Sequence, residues 1–102
     1  MNTLQILMPV HNEGKNIKNH VEKIDKILKK KINFSFLICE DGSTDNTVKI
    51  LKDIKRKFKI HLISKKGKQG YSKAVMSGIK TAKADYLLIC LLYTSDAADE
   101  TE

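Results

Sequence analysis

The sequence contains few residues of several types, and each shortage excludes a kind of site or a class of protein. Its two cysteines, Cys39 and Cys90, lie in apolar runs outside any CxxC or His/Cys spacing, so we expect neither a zinc site nor a structural disulfide. No apolar run approaches the roughly 20 residues that span a bilayer, and no basic stretch followed by an apolar one stands at the start, so we expect no signal peptide. These absences predict a cytoplasmic protein.

Aromatic residues and arginine are also scarce. Six aromatic side chains and a single arginine leave little for stacking nucleic-acid bases, so we expect no nucleic-acid partner.

All 19 basic residues precede position 90 but only eight of the 12 acidic ones do, which gives residues 1–89 a net charge of +11. That charge suits polyanions, although lysines scattered over a solvated surface explain it equally well. A small basic module that binds nucleic acid or a membrane surface is therefore the alternative function.

Short apolar runs alternate with helical patterns along the chain. Runs at 4–10, 34–39, 59–64 and 86–89 have the length of strands. Between them, apolar residues recur at helical spacing, at Ile17, Val21, Ile24 and Leu28, then Val48, Leu51, Ile54 and Phe58, then Tyr71, Val75, Ile79 and Ala82. The alternation predicts an α/β fold, a Rossmann-like three-layer sandwich with a parallel sheet.

Polar residues follow the first two predicted strands. His11 to Glu13 and Glu40 to Asp41 come directly after apolar runs, and parallel strands place their carboxyl ends on one edge, where ligands bind. We therefore expect both segments to share one site, in which the Asp41 carboxylate accepts hydrogen bonds from a ribose hydroxyl or a base. A simpler alternative is that Asn12 and Glu13 cap the first helix, and that Ser43 or Thr44 caps the second after a turn at Gly42.

Four segments, taken in order, resemble the nucleotide-binding half of family-two glycosyltransferases, which have a GT-A fold. They are Pro9-Val10-His11-Asn12-Glu13, the acidic segment from Glu40 to Thr47, the glycine- and lysine-bearing segment from Gly67 to Gly78, and Asp85-Tyr86. The resemblance covers residues 4–89, with Glu40 in place of the commoner aspartate. It is nearest in style to the branch that acts on polyprenyl-phosphate or other cell-envelope acceptors.

The resemblance implies transfer of a sugar from a nucleotide-diphosphate sugar to an acceptor, at a site whose residues can be named. It implies nucleotide contacts at Pro9, His11, Glu13, Asp41 and the backbone of Cys39, and diphosphate contacts at Lys66, Lys68 and Lys73. For each lysine, a solvated surface position is an equal alternative. A nucleotidyltransferase of related architecture is a second enzyme hypothesis, but it would usually carry a glycine-rich basic signature where this chain has HNEGKN.

The end of the chain departs from the family pattern. The family's D-x-D, which holds a divalent cation (Mg²⁺ or Mn²⁺) against the diphosphate, would fall at 91–93, where this chain has Leu91 and Tyr93. Residues 90–99 instead match the translation of a transposase adapter used in DNA sequencing. We therefore predict a nucleotide-sugar-binding part at 1–89 and a non-native tail at 90–102, without metal ligands. The parent enzyme is expected to need the cation and to work near a membrane, and this fragment is expected to be inactive.

Overall fold

Four strands and three helices alternate along the chain, as the apolar pattern predicts. The computed structural model describes residues 3–65 and 67–90. Its elements are β1 (Leu4–Val10), α1 (Ile17–Leu28), β2 (Phe34–Asp41), α2 (Thr47–Ile54), β3 (Ile60–Lys65), α3 (Tyr71–Thr81) and β4 (Tyr86–Ile89). Among these described residues, no helix has the length and apolar character needed to cross a membrane.

The strands form one parallel sheet in the order β3-β2-β1-β4. In β1, Leu4 pairs with Phe34 of β2 and with Tyr86 of β4, and β2 in turn pairs with β3. Parallel neighbours need crossover connections, and the three helices supply them. Helices lie on both faces of the sheet, which confirms the predicted three-layer α/β sandwich.

Alternation along the strands divides the core between the two faces of the sheet. Even-numbered residues of β1 and β2 pack with α1 and α2, and include Ile6, Met8, Phe36 and Ile38. Odd-numbered residues face α3, and include Leu7, Leu37 and Cys39. Because successive side chains of a strand point to opposite faces, both central strands are apolar on both sides, as is typical of a parallel sheet covered by helices.

Helix α3 lies very close to the sheet because its inward residues are small. Ala74 and Gly78 are buried against the strands, and a Cβ added at Gly78 would lie 2.2 Å from Cδ1 of Leu7. Ile79, one of the apolar residues at helical spacing in this helix, is 43% exposed. The close approach of α3 to the sheet leaves room only for small residues on the inward face, so this large side chain lies outside it.

Helix α2 is also shorter than its apolar spacing suggests. The helix ends at Ile54, so Phe58 lies beyond it rather than in its last turn. Phe58 nevertheless packs, half-buried, against the core on the α1 and α2 face. The aromatic ring therefore contributes to the core from a turn, where burial depends on position in space and not on helical register.

Candidate functional site

The carboxyl ends of three neighbouring strands bring three loops together. Val10 at the end of β1 pairs with Glu40, and Asp41 at the end of β2 pairs with Lys65. The loops that follow these strands, described at 11–16, 42–46 and 67–70, therefore start from one edge of the sheet. The prediction that the turn after β1 and the acids at the end of β2 share this edge is confirmed.

Asn12 joins the first loop to the second. Its backbone N–H donates to Oγ of Ser43 at 2.9 Å, and its side-chain Oδ1 accepts from the backbone N–H groups of Thr44 at 2.7 Å and Asp45 at 3.3 Å. The residue has a φ of 53°, a left-handed conformation that asparagine tolerates better than most residues. Asn12 thus holds the chain just ahead of α2, and the alternative in which it caps α1 is wrong.

Neither of the predicted side-chain caps is formed. Helix α1 begins at Ile17 after Asn16, and α2 begins at Thr47 after Asn46, with no side-chain capping hydrogen bond at either position. The buried Glu13 contributes through its backbone, because its carbonyl oxygen accepts from the N–H of Asn16 at 3.0 Å and of Ile17 at 2.8 Å. The hydroxyl of Ser43 is engaged by Asn12 instead of the helix.

Asp45 makes a second connection between the same two loops. Its Oδ2 accepts from the N–H of Gly14 at 3.1 Å, and its Oδ1 accepts from the backbone N–H of Thr47 at 2.9 Å and from the hydroxyl of that threonine. Desolvation acts to raise the pKa of Asp45, but these hydrogen bonds outweigh it and leave the pKa below its usual 3.8. A Cβ at Gly14 would lie 2.0 Å from Oδ1 of Asn46, so the loops meet closely there.

The two adjacent acids at the end of β2 point to opposite faces of the sheet. Glu40 lies on the face of α1 and α2, where Oε1 accepts from the hydroxyl of Ser64 at 2.7 Å and Oε2 accepts from the N–H of Ser43. Asp41 lies on the α3 face, and both side chains are 1% exposed. Strand alternation therefore keeps the two carboxylates apart, and each has its own set of donors.

Asp41 fixes the third loop. Its Oδ1 accepts from the N–H of Gln69 at 2.6 Å and its Oδ2 from the N–H of Gly70 at 2.9 Å, immediately before α3 begins at Tyr71. A carboxylate is favourable at this positive end of a helix. Gly42 adds to the same junction, because it has a φ of +61° and a Cβ there would lie 2.3 Å from the carbonyl carbon of Gly67.

His11 contacts Asp41 directly. Its Nδ1 lies 2.6 Å from the backbone carbonyl oxygen of Asp41, and its Nε2 lies 3.3 Å from Nδ2 of Asn12. Because a carbonyl oxygen only accepts, Nδ1 carries the proton and Nε2 accepts from the asparagine amide. The half-buried imidazole is thereby held in a single tautomer at the junction of the first two loops.

A cavity of about 310 Å³ opens beside this junction, between α3 and the ends of β2 and β3. Of the predicted site residues, Cys39, Asp41 and Lys73 line it. Pro9 is buried in β1 opposite Cys39, one strand away from the cavity. Lys68 lies exposed in the third loop, and Lys66 lies outside the described residues.

Some residues that build the site could not be recognised from the sequence. Gln69 and Ser64 donate to Asp41 and Glu40 from elements separated from them by a helix. Nothing local marks either residue, since glutamine and serine are common in loops and at strand ends. Asn12 offered a partial signal, because asparagine in a turn after a strand is typical of the left-handed conformation and of side-chain hydrogen bonds to the backbone.

Comparison with known proteins fits this architecture. The family model described as glycosyl transferase family 2 matches residues 5–91, which covers every element of the sheet and all three loops of the site. The chain belongs to glycosyl transferase family 2. Among curated relatives, the family 2 chain is 26% identical over 86 residues to a dolichol-phosphate mannosyltransferase of Pyrococcus furiosus, covering 84% of this chain and 24% of that protein.

Solved structures agree on the fold. The crystal structure of TarS from S. aureus superposes with a TM-score of 0.75 at 21% identity, covering 97% of this chain and 19% of TarS. The mannosyltransferase PcManGT from Pyrobaculum calidifontis, solved in complex with GDP-Man and Mn²⁺, superposes with a TM-score of 0.67 at 19% identity over 86% of this chain and 26% of its own. The family 2 chain thus has the GT-A fold and spans about a quarter of the length of these relatives.

The possible metal ligands of the family 2 chain are not grouped together in the part that the structure describes. Within residues 3–65 and 67–90, no group of three or more His, Cys, Asp and Glu side chains is placed to hold a metal ion. The carboxylates of the site are instead engaged by backbone amides and hydroxyls. Positions 91 and 93, where the D-x-D was expected, lie outside the described residues and carry leucine and tyrosine, neither of which is a carboxylate ligand.

Proposed function

We propose that this chain forms the nucleotide-sugar-binding part of a glycosyltransferase that moves a sugar from a nucleotide-diphosphate sugar to an acceptor. The observation that carries the proposal is the junction of His11 with Asp41 at the carboxyl edge, beside the cavity under α3. Family membership supports the reaction class. The complex of PcManGT with GDP-Man supports the class of donor.

The proposed nucleotide contacts are Pro9, His11, Glu13, Asp41 and the backbone of Cys39. Asp41 is proposed to bind the base or ribose, and its carboxylate oxygens accept hydrogen bonds from Gln69 and Gly70. A nucleoside that donates to Asp41 would therefore replace one of these backbone N–H donors or share the carboxylate oxygen with it. Binding of the nucleoside would thus depend on the position of the third loop. The cost of that exchange favours weak binding by the chain on its own.

The proposed diphosphate contacts are Lys66, Lys68 and Lys73. Lys73 is exposed in the first turn of α3 and lines the cavity, where the positive end of the helix favours an anion. Lys68 lies in the loop that Asp41 fixes. A lysine at either position carries a point charge on a flexible side chain. These side chains would therefore adjust to the diphosphate and would not fix its orientation.

The acceptor, the cation and the extent of the native chain complete the proposal. Similarity to a dolichol-phosphate mannosyltransferase favours a polyprenyl-phosphate acceptor, hence work by the parent enzyme at the cytoplasmic face of a membrane. A divalent cation, as in the Mn²⁺ complex of PcManGT, would be held by parts of the parent beyond the described residues.

We further propose that residues 1–89 are native and 90–102 are not, which leaves this chain inactive. Source DNA read past codon 89 tests that division.

Nucleotide titration tests the proposed site. We expect UDP or GDP to bind weakly, and we expect Asp41→Asn and Lys73→Gln each to reduce the affinity about tenfold, because each removes one charge contact worth roughly 1.4 kcal/mol. Isothermal titration calorimetry measures the affinity. Lys23→Gln, on the exposed face of α1, is the matched control and should bind like the original chain.

Two features keep the test decisive. Asp41 is buried, so circular dichroism must first show that Asp41→Asn is folded, and the exposed Lys73 supplies a variant that cannot disturb the core. Absence of binding by both nucleotides, or equal loss in Lys23→Gln and Lys73→Gln, would contradict the proposed site. Salt-sensitive RNA binding indifferent to both site variants would favour the basic-module alternative.

A further inference from the structure

The opposite edge of the sheet carries a concentrated positive charge. The ends of α1 and α2 and the starts of β2 and β3 surround a depression of about 560 Å³. We call it the basic depression and define it by its charged residues, Lys29, Lys30, Lys31, Lys57, Lys59 and Asp25. Its wall includes the half-buried Phe58. This surface is separate from the junction of His11 with Asp41, which lies at the carboxyl ends of the strands.

The fold, and not a single charged run, creates this concentration. Three of the lysines follow α1 and two follow α2, and the packing of α1 against α2 brings them together. All five lysines are exposed. Within residues 3–65 and 67–90, none of their ammonium groups forms an ion pair or a side-chain hydrogen bond. Their charge therefore faces solvent around one concave surface.

Local negative charge compensates only part of these five cations. Asp25 supplies one negative charge, and the two helix C-termini together supply about one more, since each carries roughly half a negative charge. About three positive charges thus remain uncompensated around the depression. Lysines at helix ends are common because of this dipole, but the dipole accounts for no more than one of the five.

We propose that the basic depression binds a compact, multiply charged phosphate anion of the diphosphate or triphosphate class. Lysine ammonium groups on flexible stems converge readily on phosphate oxygens. The excess of about three positive charges matches an anion of that class, and the concave shape favours a compact group over an extended polymer. The anion is either free in solution or the headgroup of a phosphorylated lipid.

Chemical-shift mapping with sodium tripolyphosphate tests the site by its location. In a ¹H–¹⁵N titration of the full chain, we expect saturable shifts at the amides of residues 29–34 and 57–59, weakened by added salt. The triple variant Lys29→Gln, Lys31→Gln, Lys57→Gln should lower the affinity about tenfold, because it removes three of the five cations around the depression.

A charge-matched variant provides the control. Lys15→Gln, Lys18→Gln, Lys49→Gln removes the same net charge near the starts of α1 and α2, at the other end of the molecule, and should change the affinity less than twofold. Equal weakening by both triple variants would overturn the proposal, since it indicates a diffuse charge effect. Shifts confined to residues 11–14 and 41–45, or an absence of shifts at the depression, would overturn it as well.

An experiment with lipid vesicles distinguishes a free anion from a lipid headgroup. Phosphatidylcholine vesicles with and without diacylglycerol pyrophosphate, a lipid whose headgroup is a diphosphate, are sedimented with the original chain and both triple variants. Sedimentation that requires diacylglycerol pyrophosphate and is lost only in the depression variant assigns the site to a lipid headgroup. Tripolyphosphate binding at the depression without such sedimentation assigns it to a free anion, and either result supports the proposal.

Discussion

The two edges of the sheet use charge in opposite ways. At the carboxyl edge, Glu40, Asp41 and Asp45 each accept hydrogen bonds from backbone amides or hydroxyls of a different segment. At the amino edge, the lysines of the basic depression have no such partners among the described residues. Negative charge therefore fixes the loops of one edge, whereas positive charge at the other edge is left for solvent or a ligand.

The largest expected effect comes from closing the space between the second and third loops. Gly42→Ala places a Cβ 2.3 Å from the backbone of Gly67 at a φ of +61°. Since backbone cannot move as a side chain can, we expect a loss of about 3 kcal/mol in the free energy of unfolding. Urea denaturation followed by circular dichroism measures it.

Gly67→Ala is the matched control for this change. Gly67 has a similar φ of +71°, but nothing lies within 4 Å of an added Cβ. It should cost only the left-handed strain, about 1 kcal/mol. Equal losses of unfolding free energy in the two variants would show that the second and third loops are not in contact at Gly42. The close packing of loops that distinguishes the carboxyl edge from the amino edge would then be absent there.

A smaller effect is expected from removing the Asn12 side chain. Asn12→Gly keeps the left-handed backbone accessible but removes the hydrogen bonds from Thr44 and Asp45. We expect a loss of about 1 kcal/mol in the free energy of unfolding, read from the urea midpoint. Asn33→Gly, at an exposed position of the amino edge, should change it by about 0.5 kcal/mol or less. A larger loss in Asn33→Gly than in Asn12→Gly would contradict the expectation that hydrogen bonds stabilise the loops of the carboxyl edge more than those of the amino edge.

The smallest effect is a dependence on pH at Asp45. Desolvation acts to raise the pKa of this carboxyl, but the hydrogen bonds from Thr47 and Gly14 leave it below 3.8. The ionised form therefore stabilises the folded state above that pH, and the contribution is lost as pH falls below 3.8 through the folded pKa. We expect Asp45→Asn to have a lower urea midpoint than the original chain at pH 7.

The difference between these two chains should shrink as the pH falls through this range. Urea midpoints of both chains at several pH values between about 7 and 2.5 measure it. A difference that stays constant, or grows in acid, would show that Asp45 is not held by these hydrogen bonds. Asp53→Asn, on the exposed face of α2, is the control and should show no comparable trend.

Much of the fold could be predicted because it follows from local patterns. Short apolar runs such as 4–10 and 34–39 became β1 and β2, and the helical spacing of Ile17 and Val21 became the buried face of α1. The placement of His11 near Asp41 also followed, because parallel strands must end on one edge. The exposure of Ile79 did not follow from its helical spacing, because it depends on how closely α3 approaches the sheet.

The hydrogen bonds of the site could not be predicted in the same way. Capping of α1 by Asn12 was one of two alternatives, and the residue instead holds the loop before α2. Nucleoside binding by Asp41 stays a prediction, but no pattern in the sequence indicated that its carboxylate accepts hydrogen bonds from the N–H groups of Gln69 and Gly70. Each partner is separated from its acceptor by at least 28 positions, so only three-dimensional packing decides which donor arrives.

The sequence by itself determined the alternation of strands and helices, the parallel sheet and the edge on which the loops gather, because these depend on the periodicity of nearby side chains. The tertiary structure alone decided which donors from distant segments reach Glu40, Asp41 and Asp45, and that lysines from two separate segments meet around one depression. Hydrogen bonds act over about 3 Å and charges over about 10 Å. Both therefore depend on distances in space that spacing along the chain does not fix.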